Sequence, residues 1–435
     1  MSPPSKPSPP EQELSLGSLH PLRAPAFRAL WLAAIFSYTG TWVQDVGEQW
    51  LMLSLTSNPL LVAMLASAIA LPATFLLIPA GVMADRLDRR RLLMVAQGWM
   101  ALVALALGVV TLGGWATPAL LLTASFSLGI GSALTSPAWQ SLVPELVPRE
   151  QMAEAVTLNS LSFNIARAVG PALGGLFIAA SGPSGAFVVN AISFLAVIEV
   201  LRRWPQIRLI SRRPRGDPSE PLRSAVTAAF QHVRRSAALR AVFLAVAMFG
   251  VAASSVSPLL SVFAKHVLGA GSFGYGTLVG CFGAGAVLGA FVLGRLRAAL
   301  SARALVSGAM ALFGACALWM ATTHSLGLAA ALLVPAGVGW IASMATCNAL
   351  VQLSAPRALK ARVLSLYQMV WLFAWSLGAM AGGSIARHFD VRVAISVGAL
   401  GTIGAAFVTA RLRIPAYGGE SEYLVTPQPV PVRVG

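Results

Sequence analysis

The sequence predicts an all-α integral membrane protein with twelve membrane-spanning helices arranged in two six-helix halves. Of the 435 residues, 57% are hydrophobic and 11% are charged, whereas soluble domains carry about 25% charged residues. Apolar segments long enough to cross a bilayer recur along the chain. Lys and Arg are concentrated in alternate turns between these segments, which is the pattern expected of cytoplasmic turns.

The formal net charge of +16 raises the possibility of a nucleic-acid-binding protein. The distribution of the basic residues argues against it, because most of them lie in segments placed on the inner side of the membrane. Lys265, Arg387 and Arg392 are placed on the outer side, and Arg167 lies within a span. We therefore expect a lipid bilayer as the surrounding partner and no nucleic acid.

The N-terminal half is predicted to follow a Pro- and Ser-rich cytoplasmic arm. This arm, residues 1–20, is expected to be disordered, and it lacks the pattern of a cleavable signal peptide. Residues 21–201 form the first half. Its six predicted spans lie at about 27–53, 60–83, 92–112, 118–142, 155–180 and 186–200.

A polar linker, residues 202–238, separates this half from the second. Within it, Leu222, Val226, Phe230 and Val233 recur at helical spacing, which predicts an amphipathic helix on the inner membrane surface. The second half, residues 239–412, has predicted spans at about 241–263, 275–294, 304–323, 328–351, 361–385 and 391–410. The Pro-rich tail, residues 413–435, is expected to be disordered, and both termini are placed in the cytoplasm.

The turn between the second and third spans carries the most specific pattern of the chain. The run GVMADRLDRRRLL, from Gly81 to Leu93, contains a predicted turn of about eight residues. So many charges cannot lie in hydrocarbon, and the excess of Arg indicates the cytoplasmic side. The alternative is that this charged turn serves only to set the membrane topology of the two spans that it joins.

The run also resembles the loop between the second and third helices of the major facilitator superfamily. The matching residues are Gly81, Asp85, Arg86, Arg89 and Arg90, with Asp88 in place of the usual glycine, as in the branch that includes the enterobactin exporter. The resemblance implies that Asp85 contacts the N-terminus of the eleventh span, near Ala361 and Arg362. This contact would hold the halves closed on the inside and stabilise the outward-open state, and the arginines would pair with the acids or with lipid phosphates.

The fifth span contains the run ARAVGPALGGLF. Its residues Gly170, Pro171, Gly174 and Gly175 resemble the antiporter motif of exporters in the superfamily, although Thr157 and Ala166 occupy the positions of two expected glycines. Ordinary close packing of small residues is the alternative. The stretch 137–171 resembles the enterobactin-exporter and macrolide-efflux-like branch, and the resemblance extends over nearly the whole chain.

Asp45 and Glu48 are the acidic residues of the first span. Because they are three residues apart, they lie on one face of the helix. A carboxyl group that is partly removed from water can carry a proton, so both residues are candidates for proton coupling, with Arg167 as a possible partner. Alternatively, they reach the outer interface, where Trp42 and Trp50 would anchor the helix.

Further polar and aromatic residues could line a substrate cavity or instead form contacts between helices. These candidates are Gln44, Asn159, Asn164, Asn190, Tyr367, Gln368, Trp371 and Trp375. The cysteines Cys281, Cys316 and Cys347 lie in apolar segments and are expected to be packing residues.

No nucleotide-binding loop, metal-ligand cluster or catalytic set is recognisable, so we expect neither an enzyme nor a cofactor or metal. The sequence predicts a monomeric, proton-coupled secondary transporter of a bacterial inner membrane. It would export a small amphipathic molecule, such as a siderophore or a drug. A lipid flippase or an uptake facilitator with the same fold, or a membrane sensor without transport activity, are the alternatives.

Overall fold

A computed structural model describes residues 16–204, 207, 222–356 and 359–414 of the chain. The side chains of residues 16–19, 78, 85, 86, 144, 222–226 and 361 are outside this description. The described regular structure consists of thirteen α-helices and short 3-10 helices. The α-helices are α1 (Pro25–Leu55), α2 (Pro59–Arg86), α3 (Arg89–Leu112), α4 (Pro118–Leu142), α5 (Met152–Arg203), α6 (Leu222–Arg235), α7 (Ala237–Ala253), α8 (Leu260–His266), α9 (Ser272–Ala299), α10 (Ala302–Thr322), α11 (Leu326–Ser354), α12 (Lys360–His388) and α13 (Val391–Arg411).

These helices give twelve crossings of a bilayer. Among the described residues, nine helices are long and apolar enough to cross a membrane. The 52 residues of α5 would measure about 78 Å if straight, and the helix turns back at Gly182, whose φ is 75°, so it crosses twice. We assign the remaining two crossings to α1, which is 31 residues long, and to α7 followed by α8, which a stretch of turns separates.

The same helix pairs recur in both halves of the bundle. In the first half α2 packs on α4 and α3 on α4 and α5, and in the second half α9 packs on α11 and α10 on α11 and α13. The halves meet through two pairs that correspond to each other, α2 with α12 and α5 with α9. This parallel repeat confirms the predicted all-α membrane fold of two six-helix halves.

The turn between α2 and α3 is shorter than the eight residues predicted, because Leu87 and Asp88 alone separate the two helices. The prediction assigned the whole charged run to the turn. In the structure most of these charged residues belong to the end of α2 and the start of α3. The Asp88 carboxylate accepts a hydrogen bond of 3.2 Å from the backbone N–H of Arg91. Asp88 is thus the N-cap of α3, which gives a physical reason for an aspartate at this position.

Two other boundaries also differ from the prediction. The predicted fifth and sixth spans correspond to the two parts of α5, which are separated by a kink at Gly182, where the backbone is not helical. The seventh span is interrupted between Ala253 and Leu260. The predicted disordered arm overlaps a 3-10 helix, Leu16–Arg23, where Leu22 packs against a buried apolar cluster.

Helix α6 lies across the end of the bundle, since its stretch Thr227–Arg235 is bent by 100° from α7. Ala229 is fully buried, Val233 packs against the core, and Phe230 is 58% exposed. Of the four apolar residues that predicted this helix, the side chains at 222 and 226 lie outside the described residues. The bend suits a helix lying along a membrane surface.

One end of the bundle, here called the basic face, carries the α2–α3 turn, α6 and the α11–α12 turn. Arg89 is 1% exposed and forms an ion pair of 3.3 Å with Glu145, while its Nε donates to the Ala84 carbonyl at 3.2 Å. Arg90 Nε donates to the Leu201 carbonyl at 2.6 Å. The first two arginines of α3 therefore bind α3 to other elements of its own half. The other end, which carries the α1–α2 and α3–α4 turns, is here called the opposite face.

The buried ion pair predicts unequal effects of two neighbouring substitutions. Arg89→Ala removes a buried guanidinium that contacts both Glu145 and the Ala84 carbonyl, and it should lower the free energy of unfolding by about 3 kcal/mol. Arg91→Ala, at a side chain that is 71% exposed, should change it by less than about 0.5 kcal/mol. Thermal unfolding of both variants in detergent measures this, and equal destabilisation by the two would contradict the assignment.

Candidate functional site

Three cavities lie among the helices of the described bundle. The first, here called the vestibule, has a volume of about 800 Å³ and is lined by α1, α3, α4, α5 and, from the second half, Ile341. It lies toward the basic face, since Gln140 at the end of α4 and Val156 at the start of α5 border it. A cavity of about 570 Å³ between α9, α11 and Lys360 also borders Ile341.

The third cavity, here called the central pocket, has a volume of about 400 Å³. Residues of α1, α2 and α4 from the first half and of α9, α11 and α12 from the second line it, together with Ser257 and Pro258 between α7 and α8. Ser132 borders both the vestibule and the central pocket, so the two spaces adjoin. The vestibule, on the side of the basic face, and the central pocket are therefore neighbouring spaces that share a lining residue of α4.

Asp45 and Glu48 both line the central pocket. Glu48 is 1% exposed, and Asp45 is half-buried. Both residues therefore lie between the two halves. The alternative prediction had placed them at the outer interface. Helix α1 presents both carboxyl groups to one side because they are three residues apart.

Glu48 belongs to a hydrogen-bond network within the first half. Its Oε1 accepts from Gln44 Nε2 at 2.7 Å, and its Oε2 lies 2.5 Å from Ser125 Oγ of α4. Gln44 Oε1 in turn accepts from Asn190 Nδ2 of α5 at 2.7 Å, and Asn190 Oδ1 accepts from Ser193 Oγ at 2.9 Å. The network ties α1 to α4 and to the second part of α5.

Ser125 can donate to a Glu48 carboxylate, and it can also accept a hydrogen bond from Glu48 in the protonated form. The Ser125 hydroxyl lies 3.0 Å from the Leu121 carbonyl as well as 2.5 Å from Glu48 Oε2. A hydroxyl has one proton to donate. If it is given to the carbonyl of Leu121, the short contact to Glu48 needs a proton on Oε2. The geometry thus accommodates Glu48 as a neutral carboxylic acid.

Asp45 has a different environment from Glu48. Within the described residues, it takes part in no ion pair or side-chain hydrogen bond, and its side chain borders the pocket. Arg167, its predicted partner, lines the vestibule instead. The Arg167 guanidinium lies 5.9 Å from the ring centroid of Phe282 in α9, and it forms no ion pair with either acid.

Tryptophan rings form the wall of the central pocket contributed by the second half. Trp371 and Trp375, both predicted, lie with their centroids 5.6 Å apart, and each is 5.3 Å from Trp340. Trp42 and Tyr275 also line the pocket. Sequence reasoning missed Trp340 and Tyr275, because single aromatic residues in apolar helices resemble core or interface residues; their faces could be assigned only after the helices were packed.

The other predicted cavity residues occupy different environments. Asn159 and Asn164 line the vestibule, where Asn159 Oδ1 accepts from Trp139 Nε1 at 3.0 Å. Gln44 and Asn190 belong to the buried network. Tyr367 is 3% exposed and packs edge-on against Phe243 within the second half. Gln368 does not border the described cavities, and the three cysteines are unpaired, as free thiols.

The predicted antiporter motif of α5 lies at two helix interfaces. Gly170 and Gly174 face α1: a Cβ atom at Gly174 would come within 3.0 Å of Val43 Cα. Gly175 faces α9, where an added Cβ would come within 2.6 Å of the Ser272 carbonyl. Pro171 also faces α9, its carbonyl lying opposite Gly276. Small residues therefore let the backbones of the two halves approach closely.

Side-chain contacts join the halves at the opposite face. Lys265 of α8 donates to the Leu53 carbonyl near the C-terminus of α1 at 2.7 Å, and it lies 5.9 Å from the Trp50 ring. Ser261 donates to Gln49 Oε1 at 3.1 Å. A cation next to the last carbonyls of a helix is electrostatically favourable, so these contacts hold the opposite face together.

The predicted latch of the α2–α3 turn is incompletely described. The side chains of Asp85, Arg86 and Ala361 lie outside the described residues, so the contact of Asp85 with α12 remains a prediction. A Cβ added at Gly81 would meet no atom within 4 Å.

The network around Glu48 predicts that its amide analogue is tolerated. In Glu48→Gln the amide can accept from Gln44 and donate to Ser125, so the free energy of unfolding should change by less than about 1 kcal/mol. Glu48→Ala leaves buried polar groups without partners and should cost about 1–3 kcal/mol. Thermal unfolding of both variants provides the measurement; if Glu48→Gln is as unstable as Glu48→Ala, the carboxyl group is not held in the neutral form.

Comparisons with known proteins identify the family. The family model described as "Transmembrane secretion effector" matches residues 16–432. The staphyloferrin A transporter of Staphylococcus aureus is 30% identical over 163 residues, 37% of this chain and 41% of that protein. A putative multidrug resistance protein, MdtD of Serratia proteamaculans, is 28% identical over 188 residues, 42% of this chain and 38% of that protein. The matched stretch thus spans less than half the length of these relatives.

Solved structures share the fold. A bacterial homologue of the lysosomal transporter Spinster, solved in an inward-facing and occupied conformation, superposes with a TM-score of 0.69 and 17% identity, covering 90% of this chain and 97% of that chain. The nucleoside transporter NupG superposes with a TM-score of 0.68 and 13% identity over 89% of this chain and 98% of that chain.

The family match covers nearly the whole chain, and the helical bundle, its internal repeat and its cavities agree with it. The fold and the relatives are those of bacterial transporters rather than enzymes. The chain therefore belongs to the transmembrane secretion effector family of the major facilitator superfamily and is a multi-pass membrane protein.

Proposed function

We propose that this protein exports a small amphipathic molecule in exchange for protons, and that Asp45 carries the coupling proton. The observation that carries the proposal is the position of Asp45. Its side chain borders the central pocket between the two halves and has no bonded partner among the described residues, while Glu48 one turn away is committed to hydrogen bonds. An acid inside a membrane bundle is costly and is commonly part of a proton or substrate pathway.

The basic face is the cytoplasmic face in this proposal. Short turns rich in Arg stay in the cytoplasm during insertion, and Arg89–Arg91, Arg202–Arg203 and Arg234–Arg235 all lie at this end. The vestibule lies next to the pocket on the side of that face, while Lys265 and its partners join the halves at the other. The described arrangement then corresponds to an inward-facing state, ready to take substrate from the cytoplasm or the inner leaflet.

Transport follows from rocking of the halves about the central pocket. Substrate enters through the vestibule and displaces the proton from Asp45. The contacts of Lys265 and Ser261 then break, the basic face closes, and substrate leaves on the outside, where Asp45 takes up a new proton. Asp85, if it engages α12 as the family resemblance implies, would stabilise that outward-open state.

The close approach of α5 and α9 gives the rocking motion a pivot. Gly175 and Gly276 let the two backbones remain in contact from the opposite face toward the middle of the bundle. Arg167 lies beside this pair, on the vestibule wall. We assign it to substrate passage rather than to the proton site, because it contacts Phe282 and forms no ion pair with Asp45.

The names of the relatives support a siderophore or a drug as substrate. One relative is called a staphyloferrin A transporter and another a putative multidrug resistance protein. The matched stretch covers less than half the length of either relative. The substrate class is therefore our proposal.

The proposal is tested by transport into energised inverted membrane vesicles, with a panel of siderophores, macrolides and cationic dyes. We expect accumulation in wild-type vesicles that a protonophore abolishes. Asp45→Asn should lose accumulation against a gradient but retain downhill movement, because it can no longer exchange a proton. Glu199→Gln, an exposed acid at the end of α5, is the matched control and should accumulate substrate as the wild type does.

Uphill, protonophore-sensitive accumulation by Asp45→Asn would refute the role of Asp45. Accumulation that no protonophore affects, in the wild type itself, would refute proton coupling and favour a facilitator or a lipid flippase.

The Lys265 contact predicts a shift of conformation. Lys265→Met removes the bond to the Leu53 carbonyl and should increase the population that is open at the opposite face. Spin labels at Trp115 and His324, exposed positions in turns of the two halves, should show longer distances in this variant, in a background without the native cysteines. Arg387→Met, at an exposed basic residue of the same face, is the control. Unchanged distances in Lys265→Met would contradict the role of this contact.

A further inference from the structure

We propose that the central pocket selects a lipophilic organic cation, which binds between the tryptophan rings and the Asp45 carboxylate in competition with the proton. This inference rests on the proposed function, because it names the substrate class of the same pocket. It goes beyond the relatives, whose names point to a siderophore in one case and to unspecified drugs in the other.

The charge of the pocket is the first observation. Among the described residues that line it, Asp45 and Glu48 carry carboxyl groups, and there is no Lys, Arg or His. Two basic groups of the described surrounding elements are directed elsewhere: Lys265 binds the Leu53 carbonyl, and Arg167 lines the vestibule. An anionic ligand here would meet the Asp45 charge in a site of low dielectric constant without a compensating cation, whereas a cation would be attracted.

The aromatic wall is the second observation. Trp340, Trp371 and Trp375 form a cluster with centroids 5.3 to 5.6 Å apart and mutually inclined planes. Trp42 and Tyr275 line the same space from the first and second halves. Tryptophan has the most favourable ring for a cation held over its face, and aromatic cages of this kind recognise quaternary ammonium groups.

The hydrogen-bond pattern is the third observation, because it decides which acid meets the ligand. Glu48 has bonds at both oxygens and is 1% exposed, so neither of its oxygens is left to bind a ligand. Asp45 lacks such bonds within the described part of the chain and is open to the pocket. Tyr275 is the one other titratable group among the described lining residues, and it is uncharged when protonated.

Competition for one carboxylate also provides the coupling. A monovalent cation and a proton each neutralise Asp45, and the pocket offers no second acid with an open face for both at once. Binding of the cation therefore releases the proton, and protonation releases the cation. Each transport cycle therefore carries one cation outward and one proton inward. Affinity for the cation should accordingly weaken as the pH falls.

The test uses two ions of nearly the same size and shape and opposite charge, tetraphenylphosphonium and tetraphenylborate. Equilibrium dialysis against the purified full-length chain in detergent, corrected for binding to empty micelles, measures both affinities. We expect the phosphonium to bind at least about tenfold more tightly than the borate. Asp45→Asn should weaken phosphonium binding by about tenfold and leave or improve borate binding.

A second pair of variants separates the aromatic contribution from folding. Trp371→Phe keeps an aromatic ring, but a phenylalanine ring attracts a cation less strongly than a tryptophan ring does. The variant should therefore bind the phosphonium about threefold more weakly. Trp319→Phe, at a tryptophan that is 60% exposed on α10, is the matched control and should bind as the wild type. Thermal unfolding of each variant verifies that the fold is intact.

Equal or tighter binding of the borate to the wild type overturns the inference, as does unchanged phosphonium affinity in a folded Asp45→Asn. These outcomes are distinguishable from failure of the proposed function. If Asp45→Asn loses uphill transport of an anionic or neutral compound while phosphonium does not bind, then Asp45 couples protons and the substrate class alone is wrong.

Discussion

The hydrogen bonds around Glu48 determine the character of the central pocket. A carboxyl group deep in a membrane bundle must find partners, and Gln44 and Ser125 supply them at 2.7 and 2.5 Å. Through Asn190 the same network fixes α1 against the second part of α5. With Glu48 engaged in this way, Asp45, one turn away, faces the pocket without a bonded partner in the described chain. Two acids that look alike in the sequence thus acquire different roles.

The contacts between the halves complement this division. Close packing of α5 on α9, which Gly175 and Gly276 permit, is compatible with rotation because it involves backbone and small side chains rather than interlocking groups. Lys265, by contrast, donates a directional hydrogen bond to the Leu53 carbonyl. Such a bond can be present in one conformation and absent in another. A transporter needs both kinds of contact: a pivot that persists, and contacts that form and break as access alternates.

Much of the fold followed from the sequence, because hydrophobic length and the position of arginines dictate crossings and turns. The predicted and observed bounds of α4 coincide, at 118–142. Prediction did less well where a local interaction overrode composition, as at Asp88, which caps α3 inside a run of charges. In the site, Asp45 and Glu48 could be singled out as intramembrane acids. Ser125, Asn190 and Trp340 could not be assigned to them, since their proximity depends on how distant helices pack.

The central claim is that Asp45 exchanges a proton for the transported molecule, and proton release on binding tests it most directly. Tetraphenylphosphonium would be added to the purified protein in weakly buffered detergent solution, and the change in pH recorded across the range in which transport is measured. The account predicts release of up to about one proton per chain from the wild type and none from Asp45→Asn. Release of equal size from a folded Asp45→Asn would contradict it.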